Sequence, residues 1–111
     1  SRVEMAQTEL GESSADIRTR VLAARQAASN RFAKDSWKLN AHIPSRDLRG
    51  RYRAERTAMN FLHDELDEER ITARGLHKII RTSWTIADLK GVSLPTLEEV
   101  TESYRLREGI E

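Results

Sequence analysis

The chain of 111 residues carries 19 Lys+Arg against 18 Asp+Glu, a formal net charge of +1, 38% hydrophobic residues and no cysteine. These values describe one domain that can bury a core without disulfides or thiolate-bound metal, in a reducing, cytoplasmic setting. The longest apolar run, residues 21–24, is far too short to cross a membrane, and the near-neutral charge leaves any nucleic-acid contact to a local cluster.

Residues 1–10 show neither periodicity nor strong turn signals and are expected to be extended or frayed. Ser13 followed by Asp16 forms an approximate capping box ahead of a helix predicted over about 14–33, with Ile17, Val21, Ala24, Ala28 and Phe32 on one stripe. Residues 34–45 break the period. Pro44 pushes Ile43 out of helical backbone there, and Trp37, Leu39 and Ile43 are expected to tack the loop down. After a short turn at 46–52, a helix over about 54–69 carries Ala58, Phe61, Leu62 and Leu66 and runs into the acidic stretch DELDEER. Thr72 is placed to N-cap a third helix whose core face is Leu76, Ile79, Ile80, Ser83, Ile86 and Ala87, with Leu89 near its end and Gly91 as its stop. Pro95, read as the first helical position, opens the last helix, with Leu97, Val100 and Tyr104 at helical spacing. The expected fold is all-α, a small bundle of about four main helices in a single domain spanning residues 1–111.

Few residues suggest chemistry. His42, His63 and His77 have no nucleophile elbow to serve. His63, Asp67 and Glu68 would hold a metal only weakly and read better as a solvated acidic face, so no metal site is expected. No glycine-rich phosphate loop is present. Arg46, Arg49, Arg51, Arg53 and Arg56, with Tyr52 among them, form either a phosphate-facing patch or a set of intramolecular ion-pair donors. Residues 85–100 have the small residue, turn glycine and packing positions of a helix-turn-helix. Glu98, Glu99 and Glu102 oppose that reading, because they place carboxylates on the face meant for DNA. In TARG, residues 72–75, Arg74 lies in a first helical turn, where the macrodipole disfavours a cation, and Gly75 lies where a helix former is preferred. Such a terminus is either an anion clamp or a surface arginine beside a tolerated glycine.

The ordered segments GESSADIRTRVLAAR, RF, NAHIP, ITARGLHKIIR, TIADLKG and YR resemble the C-terminal domain of the magnesium-chelatase-like AAA+ ATPases of the competence-protein ComM type, from about Gly11 to Arg105. The resemblance implies a linker helix over 11–34 and lid helices over 46–107, cut from a longer protein whose phosphate loop and Mg-binding motif lie upstream. It implies no cofactor in this piece, and ATP with Mg for the full-length protein. Arg74 matches the sensor-2 arginine that meets the terminal phosphate of ATP, with Thr72 and Gly75 beside it. The implied partners are the base domain of its own chain, neighbouring subunits of a hexamer, and DNA acted on during recombination, with Arg46 to Arg56 facing DNA or the adjacent subunit. Two positions depart from the pattern: Trp84 stands where an arginine is usual, and Ala28 where a glutamine is. A stand-alone helix-turn-helix module and a structural helical adaptor are the alternatives.

Overall fold

The computed structural model describes residues 12–108 and is all-α, with no strand among the described residues. Helix α1 (Ser14–Arg31) starts at a reciprocal capping box, in which the Ser13 hydroxyl accepts from the Asp16 amide and the Asp16 carboxylate from the Ser13 amide. A 3-10 turn (Asn40–His42) and the four-residue α2 (Ser45–Leu48) follow. Three helices complete the bundle: α3 (Arg56–Asp67), α4 (Ala73–Lys90) and α5 (Leu97–Glu108).

Helix α4 is the hub, packed against α5, α1, the 3-10 turn, α2 and α3. Its inward residues Leu76, Ile79, Ile80, Ser83, Trp84 and Ala87 recur at three- and four-residue intervals and are buried, as an amphipathic helix requires. They meet Leu48, Ala58, Leu62 and Val100 from the neighbouring elements. Leu48, Leu62 and Ile80 are completely enclosed, and burying each contributes about 2 kcal/mol. An aromatic cluster closes the other end. Trp84 Nε1 donates to the Tyr52 carbonyl at 2.8 Å, and the rings of Phe32, Trp37 and Trp84 lie 5.3, 6.2 and 6.2 Å from that of Tyr52.

Helix α4 ends where Gly91 takes left-handed backbone, φ 75°, and lets the Val92 amide reach the Ala87 carbonyl at 2.9 Å. Helix α5 differs from expectation at its start. Pro95 is not its first residue: Thr96 is the N-cap, its amide and hydroxyl both donating to the Glu99 carboxylate at 2.8 and 2.6 Å. Pro95 lies one place earlier, buried, its carbonyl accepting from the Glu55 amide at 2.8 Å.

The stripe expected on α1 reaches the core only at its C-terminal end: Phe32, the C-cap, is buried and Ala28 packs against the core, whereas no residue within the helix itself is fully buried. Val21, Ala24 and Ala28 instead line an open groove of about 570 Å³ between α1, α4 and residues 38–41. Of the three loop anchors, Ile43 is fully buried and Trp37 half-buried, whereas Leu39 is 57% exposed on the groove rim. The expectation for residues 1–10 lies outside the described residues.

Candidate functional site

The Thr72 hydroxyl accepts the Gly75 amide at 3.1 Å and its carbonyl accepts the Leu76 amide at 2.9 Å, which fixes the first turn of α4. Ala73 and Arg74 therefore present amides with no intrahelical acceptor. Arg74 is exposed and has no hydrogen bond or ion pair among the described residues. No acidic residue occupies this turn, so the positive end of the helix dipole meets an uncompensated guanidinium.

Gly75 has a neighbour from the last helix. It is buried beneath Arg107 of α5, whose Nη2 would lie 2.9 Å from a Cβ at this position. The Arg107 Nη1 also donates to Glu108 at 2.9 Å. A second guanidinium thus sits at the same helix pole, a residue that sequence reasoning missed because only the α4–α5 packing brings it there. Together these groups favour an oxyanion: one unpaired guanidinium, one guanidinium tethered to a carboxylate, and free amides aligned with the dipole.

The arginine-rich segment does not form one patch. Arg51 is engaged, paired with Asp35 and stacked 4.6 Å from the Tyr52 ring centroid. That guanidinium, and then the Tyr52 hydroxyl at 2.6 Å, hold the Asp35 carboxyl below its ordinary range. Arg53 Nη1 donates to the Gly50 carbonyl at 2.8 Å. Arg46, Arg49 and Arg56 are exposed, and their side chains make no hydrogen bond or ion pair among the described residues. Arg49 stands near α4: His77 is held below the usual imidazole range first by burial, then by Arg49 and Arg81.

At the helix-turn-helix candidate, Lys90 Nζ bonds Glu98, Glu99 and Glu102 at 3.1, 3.2 and 2.8 Å. Burial alone would raise the Glu99 carboxyl, but its bonds from Thr96 and Lys90 outweigh that and hold it low. The start of α5 is consequently a carboxylate surface around one lysine. Trp84, in the place of the usual arginine, is interior at 4% exposure and offers nothing to the α4 terminus. No group of three or more His, Asp or Glu side chains arranged to hold a metal is found among the described residues.

The sequence from residue 11 to residue 107 matches the family described as magnesium chelatase, subunit ChlI C-terminal. The chain belongs to that family. Uncharacterized proteins of Mycobacterium tuberculosis and Mycobacterium bovis are each 34% identical to it over 98 residues, 88% of this chain and 20% of theirs. The competence protein ComM of Haemophilus influenzae is 32% identical over 81 residues, 73% of this chain and 15% of its own. This magnesium chelatase C-terminal domain thus spans a fifth or less of the length of these relatives. No solved structure matches it.

Proposed function

We propose that this domain is the lid of a magnesium-chelatase-like AAA+ ATPase and that Arg74 is its sensor-2-type arginine. The observation that carries the proposal is the exposed, unpaired guanidinium at the N-terminus of α4, in a turn without a carboxylate. A terminal phosphate of ATP supplies the missing anion, and its transfer to water is the reaction. Arg74 stabilises charge growing on the phosphate oxygens, and the α4 dipole reinforces it. Thr72 has a different part: its hydroxyl is committed to the cap, so it holds the turn in the shape that presents Arg74. Gly75 keeps the turn thin enough for Arg107 to lie against it.

The donor set fits phosphate and does not fit Mg, because no carboxylate lies in the first turn of α4. Phosphate loop and metal ligands belong, in this reading, to the base domain of the full-length protein. The isolated domain does not hydrolyse ATP; it closes over a nucleotide held elsewhere. In this reading the domain meets that base domain and neighbouring subunits of a hexameric, DNA-acting motor, and the competence-protein relative supports a role in competence.

Replacing Arg74 by alanine in the full-length ATPase tests the assignment. Turnover is expected to fall at least ~100-fold, while the folding stability of the domain changes by less than about 0.5 kcal/mol, because the side chain contacts nothing here. Unchanged turnover would refute the role.

A further inference from the structure

Helix α4 carries a second feature that the nucleotide reading does not use. Its one carboxylate, Asp88, is buried against α1, where it pairs with Arg31. The charges it turns outward between its first turn and Arg81 are all positive: Arg74, Lys78 and Arg81, with His77 beside them. A solvated helix surface ordinarily alternates signs at three- and four-residue spacing, and Arg74 with Lys78 is a like-charge pair at the unfavourable spacing.

The structure adds cations from elsewhere. Arg81 Nε donates to the Ile43 carbonyl at 2.9 Å and Nη2 to Ser45 Oγ at 3.3 Å, which pins α4 to the start of α2. Arg49, at the end of α2, is close enough to depress His77. Two shallow depressions meet along this face. One, of about 320 Å³, is lined by Ala41, Lys78, Arg81, Thr82 and Thr85. The other, of about 280 Å³, is lined by Lys78, Ile79, Thr82, Ser103, Leu106 and Arg107 and is therefore part apolar. Lys78 has no hydrogen bond or ion pair among the described residues, and Thr82 and Thr85 are exposed hydroxyls between the cations.

We infer that the outer face of α4, from Arg107 across Lys78 and Thr82 to Arg81 and Arg49, is a contact surface for the phosphate backbone of nucleic acid. The chemistry of the lining favours this over an acidic protein. Protein interfaces are built around apolar and aromatic residues and are depleted in lysine, whereas the depression at Arg81 offers a lysine, an arginine, two threonines and only Ala41 as apolar surface. Phosphate contacts use this set of cations and hydroxyls. The inference rests on the DNA-acting part of the function proposed above and shares Arg107, but not Arg74, with its nucleotide site.

The test is fluorescence anisotropy of a labelled duplex DNA titrated with the 111-residue chain, without ATP, over a series of salt concentrations. Binding is expected to weaken steeply with salt, and the double variant Lys78→Glu/Arg49→Glu to bind at least ~10-fold more weakly with a shallower salt slope. Arg18→Glu, a charge reversal on α1, is expected to stay within about twofold of wild type. Circular dichroism and melting temperature check that each variant is folded. Absence of wild-type binding at low salt, or equal loss from the α1 and α4 variants, would overturn the inference. So would a salt slope as steep for the Lys78→Glu/Arg49→Glu variant as for wild type, which would place the phosphate contacts elsewhere on the domain. None of these outcomes bears on Arg74 in ATP turnover.

Discussion

Arg74 and Gly75 break the rules of a helix start for different reasons, and the structure separates them. Beside the glycine lies the guanidinium of Arg107, a flexible side chain that a Cβ would push aside; it comes from the far end of the chain, so no local pattern announces it. For the arginine, nothing within the described residues supplies a partner, and the local oddity visible in TARG survives folding intact. His77, one turn along, makes a testable consequence of the cation crowding. Burial first, then Arg49 and Arg81, lower its proton affinity relative to the unfolded chain, whose histidine titrates near 6.5. The unfolded state therefore takes up the proton first, so the contribution of His77 to stability is present above pH 6.5 and is lost as the pH falls below it. Melting curves over that window should show a drop in midpoint that His77→Gln reduces; an identical drop in the variant would mean that another group is responsible.

Among the elements, helix positions and most caps were readable in advance because their causes are local: Ser13 with Asp16, Thr72 with Gly75, Gly91 in left-handed backbone. The start of α5 was misplaced although its signal was present, since Thr96 and Glu99 are a capping pair and Pro95 drew the assignment instead. The end of α3 was not readable, because Glu69 adopts φ 59° where glycine is the usual residue. Substituting Glu69→Gly should relieve that backbone and one carboxylate at the negative helix end, raising stability by about 0.5–1 kcal/mol; a lower melting temperature would show that the side chain has an unrecognised contact. At the opposite side of the bundle, Asp88 receives Arg31 and the Asn40 amide, the latter at 2.9 Å, while Arg31 stacks 4.2 Å from the centre of Trp84. This pair fixes the end of α1 to α4. Asp88→Ala should cost about 3 kcal/mol by stranding a largely buried guanidinium, and Arg31→Met with Asp88→Leu should cost less than the sum of the single changes. Additive losses would mean that the two side chains act independently.

At the scale of the whole molecule, the radius of gyration of 14.9 Å exceeds the ~13 Å of a compact chain of about 100 residues. Helix α1 contains no fully buried residue, although Ala28 packs against the core. Its apolar stripe reads from sequence as core, and period alone cannot tell a face turned to a core from one turned to an open groove. The same limit applies to the arginines of residues 46–56. Sequence spacing groups them, whereas folding assigns Arg51 to Asp35 and Arg53 to Gly50 and leaves the side chains of Arg46, Arg49 and Arg56 without a hydrogen bond or ion pair among the described residues. What folding leaves unsatisfied is the start of α4, and the central claim is that a phosphoryl group held by another part of the protein completes it. The most direct measurement compares the affinity of the full-length ATPase for ADP and for ADP with aluminium fluoride, a mimic of the phosphoryl group in flight, in wild type and Arg74→Ala. The variant is expected to bind ADP as wild type does and to lose most of the extra affinity for the mimic. Equal discrimination by both proteins would contradict it.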